Sequence, residues 1–238
     1  MKKVIIITGA TSGVGEECAK RFANTLDWQV IGLARNVKKL EMLHEECGEN
    51  FLGFKCDLTD YKNVVSVFKM ISKRVNRLDI CVNNAATFKS KRFVDCKIQD
   101  IDNIIDTNLK GMMYVTHETL KFIMDLKQKA GSRIINIGSV ASLNGIAYQS
   151  IYCASKYGMN GFAEALNQEI IENNISISTI FPGGINTPLW NHKNPYPGEE
   201  IDKALDPSDI VDLIMYISEL KSKVILKNMT LFPSNEWH

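Results

Sequence analysis

Short apolar runs alternate with longer amphipathic segments along almost the whole chain of 238 residues. Near-continuous runs rich in isoleucine and valine are typical of parallel strands that are covered on both faces. The alternation therefore predicts an α/β fold, with a doubly wound, mostly parallel sheet and right-handed crossovers. The predicted strands are 4–7, 30–33, 51–56, 78–82, 134–137 and 175–181, and the predicted helices lie near 14–26, 36–47, 60–75, 98–129, 152–172 and 208–220.

Composition narrows the class of protein. The chain has 45% hydrophobic and 23% charged residues, as soluble globular proteins do, and a formal net charge of +1. This balance gives no push toward nucleic acid or an anionic membrane, and no stretch approaches the roughly 20 apolar residues of a membrane span. We therefore expect a small-molecule partner, with no nucleic-acid and no membrane partner.

The cysteines and histidines argue against a metal site. The six cysteines form no Cys-x-x-Cys pair, and the four histidines are far apart in sequence. Zinc chemistry and a Ser-His-Asp site are therefore not expected. No export signal is recognisable, so free thiols in a reducing compartment, the cytoplasm, are the expected state.

A polar stretch at 191–207, with Pro195, Pro197 and Gly198, lies between the last predicted strand and the last predicted helix. It is too short to be a domain, so the chain is expected to be one domain over 1–238. The stretch fits a lid-like insertion near 188–207 that is mobile without substrate and closes over it. Asp60 and Ser208 are plausible N-caps of the predicted helices that begin near 60 and near 208.

Gly9, Gly13 and Gly15 lie between the first predicted strand and the first predicted helix. Glycines there permit a tight turn and let backbone N–H groups approach a pyrophosphate, to which the helix N-terminus adds its dipole. Such a turn also serves simple chain reversal. The strand–turn–helix context favours the phosphate role.

The end of the second predicted strand bears on the choice of dinucleotide. A site selective for NAD usually has an acid here to bind the ribose 2′-hydroxyl, whereas an arginine suits a 2′-phosphate. Ala34 occupies the place of the acid and Arg35 follows it. This pattern favours NADP over NAD, although Arg35 as a solvated surface charge is the alternative.

Polar residues also follow the third and fourth predicted strands. Asp57 can accept a hydrogen bond from an adenine amino group or cap the next helix. Asn84, before the small residue Ala85, allows close approach to a ribose or ties neighbouring strands together through its amide. The residues alone leave both pairs of alternatives open.

Tyr152 and Lys156 are one helical turn apart, and Ser139 precedes the tyrosine by thirteen residues. Residues at i and i+4 share one side of a helix, so the ammonium is expected near the phenol. A nearby ammonium and an oxidised nicotinamide would both favour tyrosinate. Tyr152 could then exchange a proton with a carbonyl or alcohol oxygen, while Ser139 donates to the same oxygen.

These residues, in this order, resemble those of the short-chain dehydrogenase/reductase family. The resemblance implies a single Rossmann-type domain, hydride transfer with NAD(H) or NADP(H), and a homodimer or homotetramer. It assigns catalysis to Asn108, Ser139, Tyr152 and Lys156, with Asn108 holding a water near the lysine. For cofactor binding it implies Gly9, Thr11, Ser12, Gly13, Val14, Gly15, Arg35, Asp57, Leu58, Asn84, Ala85, Tyr152, Lys156, Pro182, Gly183, Ile185 and Thr187.

Some positions depart from the family pattern. Ser12 is not the basic residue that many NADP-binding members carry, and Ala86 replaces a common glycine. The C-terminus lacks an Asp-Gly-Gly ending, which argues against a fatty-acid synthesis reductase. The expected function is an NADP-preferring oxidoreductase on a carbonyl/alcohol pair. The alternatives are an NAD-dependent dehydrogenase of the same family and a cofactor-binding regulatory protein without turnover.

Two further expectations concern the surroundings of the site. The predicted helices 98–129 and 152–172 are apolar on more than one face, which predicts either a homo-oligomer through them or burial of both faces in one subunit. Their apolar residues include Ile104, Ile105, Met112, Met113, Met159 and Phe162, and the candidate substrate pocket comprises Phe88, Val140, Ala141, Ile146, Gln149 and Trp190.

Overall fold

A computed structural model describes residues 2–128, 131–191, 194–196 and 200–234. Seven parallel strands form one sheet in the order β3-β2-β1-β4-β5-β6-β7, so the chain winds outward in both directions from β1 and β4. The predicted doubly wound α/β fold is confirmed, and each of the six predicted strands is present. The strands are β1 (Lys3–Thr8), β2 (Trp28–Ala34), β3 (Phe51–Lys55), β4 (Ile80–Asn83), β5 (Ser132–Ile137), β6 (Ile175–Pro182) and β7 (Asn228–Leu231).

Helices cover both faces of this sheet, which explains why β1 is apolar at every position from Val4 to Ile7. In β1, Ile5 and Ile7 pack into the core beneath one helical layer, while Val4 and Ile6 pack into the other core. The first layer contains α1, α2 and α7, and the second contains α3, α5 and α6. The helices are α1 (Gly13–Ala23), α2 (Val37–Cys47), α3 (Tyr61–Ile71), α4 (Ile98–Ile105), α5 (Met112–Leu126), α6 (Ser150–Ile170) and α7 (Pro207–Glu219).

Two helix starts test the predicted caps. Asp60 caps α3, and its carboxylate accepts from the backbone N–H groups of Lys62 and Asn63. The prediction for Ser208 is wrong, because Asp206 caps α7 and Pro207 is the first residue of that helix. A proline at the first helical position needs no hydrogen-bond partner for its nitrogen, so the helix begins at Pro207 and its cap lies two residues before Ser208.

The predicted helix 98–129 is interrupted. A π-helical turn, Asp106–Gly111, joins α4 to α5. Single π-helical turns are often found at functional sites. This one contains Asn108, which is fully buried.

The apolar faces of these helices are only partly explained by burial within the chain. Ile104, Met112 and Met159 are buried in the subunit. Ile105, Met113 and Phe162, by contrast, are half-buried. Among the described residues, no helix is both long and apolar enough to cross a membrane.

The segment predicted as a lid is anchored at its base. Asn186 donates its backbone N–H to the carbonyl of Leu205, and Leu205 donates to Gly184, at 2.8 and 2.9 Å. A short 3-10 turn, Ile201–Lys203, precedes α7. Residues 192–193 and 197–199, which include Pro197 and Gly198, lie outside the described residues.

Candidate active site

The glycine-rich turn lies where the sheet reverses its winding, between the carboxyl ends of β1 and β4. Ligands bind at such a switch point in open α/β sheets. Gly9 and Gly13 have φ values of +66° and +53°, which side chains other than glycine adopt only with strain. A Cβ atom on Gly13 would lie 2.9 Å from Cγ2 of Thr187, so the turn faces the loop after β6.

Asn84 ties the ends of β1 and β4 together. Its Nδ2 donates to the carbonyl of Thr8 at 2.9 Å, and its backbone N–H donates to Thr8 Oγ1 at 2.9 Å. The Thr8 hydroxyl also accepts from the backbone of Ala85 at 3.0 Å. Of the two interpretations left open by the sequence, the side chain of Asn84 follows the strand-tying one. Any contact of this segment with a ribose stays a prediction.

The N-terminus of α1 is open toward the turn. Ser12 occupies the N-cap position, but its side chain makes no capping hydrogen bond. The backbone N–H groups of the first turn are therefore free to bind a ligand at the helix N-terminus. The positive end of the helix dipole lies at the same place, and both features favour an anionic diphosphate. The side chain of Val14 packs into the core, so only its backbone can face this site. The cradle fits a dinucleotide diphosphate.

Basic and acidic side chains gather where β2 and β3 end. Hydrogen bonds from the hydroxyl and backbone of Thr59 lower the pKa of Asp57, and the charge of Arg35 lowers it further. Asp57 therefore forms a turn with Thr59, and Asp60 caps the helix instead. Lys39, on α2, donates from Nζ to the carbonyl of Thr11 at 3.2 Å, which brings an ammonium to the glycine-rich turn.

Tyr152 lies in α6 with only 8% of its surface exposed. Its ring meets that of Phe88 edge-on at 5.0 Å. Burial raises the pKa of Tyr152 to about 12, and a hydrogen bond with Ser139 opposes this rise. The protein's own groups therefore do not produce the expected preference for tyrosinate, because burial raises the pKa of Tyr152 more than the hydrogen bond with Ser139 lowers it. At neutral pH the hydroxyl keeps its proton.

Lys156 is buried beside Tyr152, as the helical spacing predicted. Its Nζ lies 5.7 Å from the centroid of the Tyr152 ring and donates to the carbonyl of Ile137, at the end of β5, at 2.7 Å. Burial lowers the pKa of Lys156 to about 7. The ammonium is thus only partly charged at neutral pH, which weakens its expected pull on the phenol.

Asn108 connects three parts of the site. Its Oδ1 accepts from the backbone N–H of Thr87 at 2.7 Å, and its Nδ2 donates to the carbonyl of Thr87 at 2.9 Å. The same amide donates to Ser155 Oγ at 3.2 Å, one turn from Tyr152. The side chain therefore fixes the loop after β4 against α6. Its predicted part in holding a water stays a prediction.

The remaining candidate cofactor residues lie on the loop after β6 and beside the π-helical turn. Gly183 donates its N–H to Leu231 at 2.8 Å, which anchors the Pro182-Gly183 segment to β7. Ile185 accepts from the indole N–H of Trp190 at 2.9 Å. Leu58 is buried in the core with α3 and α5, so its side chain serves packing.

A wall of aromatic rings leads away from Tyr152. Phe88 packs on Tyr152, Trp190 packs on Phe88 at 4.9 Å, and Tyr196 packs on Trp190 at 5.3 Å. Four of the six predicted pocket residues share one apolar cluster with Tyr152, and their role in binding a substrate stays a prediction. That cluster contains Phe88, Ala141, Ile146, Cys153, Leu189 and Trp190.

Sequence reasoning missed three residues of this site. Ser155 could have been found from its place one turn after Tyr152, on the same helix. Thr87 and Tyr196 carry no such signal, because their contacts depend on how distant loops meet. Within the described part of the chain, no cluster of three histidine, cysteine or acidic side chains could hold a metal ion.

Comparison with known proteins decides the family. The profile of the family described as short chain dehydrogenase matches residues 3–197. The chain belongs to this family. As a short-chain dehydrogenase it is an oxidoreductase of the CH–OH/C=O class, as predicted. It is 31% identical over 191 residues to a 3-oxoacyl-(acyl-carrier-protein) reductase of Buchnera aphidicola, covering 80% of this chain and 77% of the relative.

Two other relatives cover nearly the whole chain. An NADP-dependent 3-hydroxy acid dehydrogenase of Schizosaccharomyces pombe is 28% identical, with 98% of this chain and 93% of the relative covered. The closed form of a serine dehydrogenase complexed with NADP+ superposes with a TM-score of 0.89 at 25% identity, covering 99% and 96% of the two chains. These coverages extend the likeness beyond residue 197 and over α7.

Proposed function

We propose that this short-chain dehydrogenase reduces a small-molecule carbonyl to an alcohol and prefers NADP(H). The observation that carries the proposal is the buried phenol of Tyr152, bonded to Ser139 and placed beside Lys156. Ser139 follows β5, and Lys156 Nζ bonds the carbonyl of Ile137, so these groups lie at the carboxyl end of the sheet, where the glycine-rich turn also lies. When bound, the reduced nicotinamide supplies the hydride.

The protein's own groups handle the proton. Because its pKa is about 12, Tyr152 enters the reaction protonated at neutral pH and donates its proton to the carbonyl oxygen. The Ser139 hydroxyl donates to the same oxygen and stabilises its developing charge. Lys156, held on the Ile137 carbonyl, then supports the tyrosinate as proton transfer leaves it charged. Asn108 positions α6 through Ser155.

The preference for NADP rests on three residues at the edge of the cradle. Ala34 offers no carboxylate to a 2′-hydroxyl and does not repel a phosphate. Arg35 is exposed at the end of β2, and Lys39 is held at the glycine-rich turn by Thr11. Together they present two cations to a 2′-phosphate, which compensates for the missing basic residue at Ser12. The Schizosaccharomyces pombe relative is an NADP-dependent enzyme, and the serine dehydrogenase structure is a complex with NADP+, which agrees with this preference.

The test is the ratio of kcat/KM for NADPH and NADH, measured with a panel of carbonyl compounds. We expect wild type to prefer NADPH. Removing a charge-assisted hydrogen bond costs roughly 1.5–3 kcal/mol, so Arg35→Ala and Lys39→Ala should each weaken NADPH binding by about tenfold to a hundredfold. NADH binding should barely change, and Ala34→Asp should reverse the preference.

Lys38→Ala is the matched control, since Lys38 is an exposed lysine of the same helical turn. An unchanged ratio in the Arg35 and Lys39 variants, or a wild type that prefers NADH, would reject NADP and leave an NAD-dependent dehydrogenase. Binding of the dinucleotide without consumption with any carbonyl would instead favour the regulatory protein.

We also propose a homodimer, or a homotetramer built from it, with closed symmetry. An apolar groove of about 400 Å³ runs between α3, α5 and α6. A second copy of the same helices would cover the half-buried Met113 and Phe162. The groove is lined by Tyr61, Met113, Tyr114, Thr116, His117, Leu120, Phe162 and Leu166.

We further propose that the whole of 1–238 acts as one domain in the cytoplasm. All six cysteines are free thiols, a state that suits a reducing compartment. We propose that the segment near 188–207 closes over the substrate as a lid, because its base is bonded beside Gly184 and it carries part of the aromatic wall.

A further inference from the structure

Tyr196 is the outermost ring of the aromatic wall. Its ring lies directly over Gly184, where a Cβ atom would come within 2.4 Å of both the ring edge and the phenol oxygen. The ring of Trp190 also packs on Tyr196, edge to face, with the ring centroids 5.3 Å apart. The ring of Tyr196 therefore packs directly on the backbone of Gly184, where no side chain would fit.

The hydroxyl of Tyr196 is buried, yet it has no hydrogen-bond partner among the described residues. Buried polar groups are nearly always hydrogen-bonded, because leaving one unpaired forfeits its bonds to water. Exceptions occur where a bound molecule completes the pair. If Tyr196 served only packing, phenylalanine would make the same ring contacts without burying an unpaired hydroxyl.

The wall gives the direction of such a molecule. Tyr152 stands at one end, Tyr196 at the other, and the rings of Phe88 and Trp190 lie between them. A ligand that reaches from one phenol to the other must present hydrocarbon to these two rings and a polar atom at each end.

We propose that Tyr196 is a substrate-binding residue whose hydroxyl donates a hydrogen bond to a second oxygen of the substrate. The substrate class is an oxo or hydroxy compound in which a hydrocarbon spacer that passes the rings of Phe88 and Trp190 separates the reacting carbon from a distal carbonyl or carboxylate oxygen. This inference rests on the proposed function, because it takes Tyr152 as the group beside the reacting carbon.

The test compares matched probes in the full-length protein. Methyl 4-oxopentanoate, methyl 5-oxohexanoate and methyl 7-oxooctanoate are methyl ketones that carry a distal ester oxygen, and simple methyl ketones of the same chain length do not. We expect wild type to favour at least one oxo ester over its matched ketone. Tyr196→Phe should reduce kcat/KM for that ester by about tenfold, mainly through KM, and leave the ketone unchanged. Tyr216→Phe, at an exposed tyrosine of α7, is the control.

Thermal stability without substrate provides a readout that is independent of turnover. If the hydroxyl is unpaired in the free protein, Tyr196→Phe should keep or raise the Tm, although it lowers kcat/KM for the ester. A lowered Tm would mean that the hydroxyl already has a partner and would overturn the proposal. Equal loss for ester and ketone, or no discrimination by wild type, would overturn it too and leave the reductase function intact. No NADPH consumption with any probe would reject the proposed function and this inference with it.

Discussion

Gly15→Ala tests whether the cofactor cradle is as tightly packed as its geometry indicates. A Cβ atom at this position would lie 2.3 Å from the carbonyl oxygen of Gly9 and 2.5 Å from Nδ2 of Asn84. Neither neighbour is a free side-chain end. The first is backbone in the glycine-rich turn, and the second is held by the carbonyl of Thr8 at 2.9 Å.

The size of the effect follows from three contributions. Overpacking of a filled interior costs roughly 1–3 kcal/mol. Losing the hydrogen bond from Asn84 to Thr8 costs roughly 0.5–1.5 kcal/mol, and alanine returns up to about 1 kcal/mol in helix propensity. The free energy of unfolding should therefore fall by about 1–4 kcal/mol. In a chain of this length that lowers the Tm by about 2–16 °C, at roughly 2–4 °C per kcal/mol.

The assay is thermal unfolding at a fixed protein concentration, with and without NADPH, together with NADPH titration by fluorescence. Gly161→Ala is the control, because nothing lies within 4 Å of a Cβ atom there, and alanine in the middle of α6 should stabilise by about 0.5–1 kcal/mol. Gly15→Ala should also bind NADPH more weakly, since the turn must open. A variant with wild-type Tm and wild-type affinity would refute the packing argument.

Two other predictions concern charge and assembly. Burial holds the pKa of Lys156 at about 7, against 10.5 for the ordinary side chain, so the folded protein binds fewer protons between these pH values. The buried lysine therefore lowers the free energy of unfolding, fully below pH 7 and less and less toward pH 10.5. Lys156→Met should raise the free energy of unfolding by on the order of 1 kcal/mol or more at pH 6–7 and by less at pH 10. Denaturant titrations at the two pH values measure this difference. The same gain at both pH values would contradict the burial argument. Phe162→Glu should yield monomers by light scattering at micromolar concentration, because it buries a charge in the proposed interface. Wild type that is itself monomeric would reject the assembly.

Much of the fold could be predicted because parallel strands are buried on both faces, which leaves runs such as Val4 to Ile7 in the sequence. β7 was not predicted, since it is short and alternates polar and apolar residues at the sheet edge. Ser208 was misassigned as the N-cap because α7 begins at Pro207, which leaves Asp206 as the cap. Local pattern identifies that an element exists, and its boundary depends on capping geometry.

The candidate site could be predicted as an ordered set of motifs, but not as an arrangement of contacts. The spacing of Tyr152 and Lys156 fixes one face of a helix, and the structure confirms that the two are neighbours. Their pKa values depend on burial by distant loops, which no spacing reveals. The same holds for the π-helical turn that presents Asn108 and for Tyr196, which reaches the site only through tertiary packing.

The most direct test of the central claim is hydride transfer by Tyr152→Phe, measured with NADPH labelled with deuterium on the transferred position. Phenylalanine keeps the ring that packs on Phe88 and removes only the proton donor. We predict that wild type delivers one deuterium to the alcohol carbon for each NADPH consumed. In the variant, kcat should fall by on the order of 10²-fold or more while NADPH affinity is retained. Turnover near the wild-type rate in Tyr152→Phe would contradict the account.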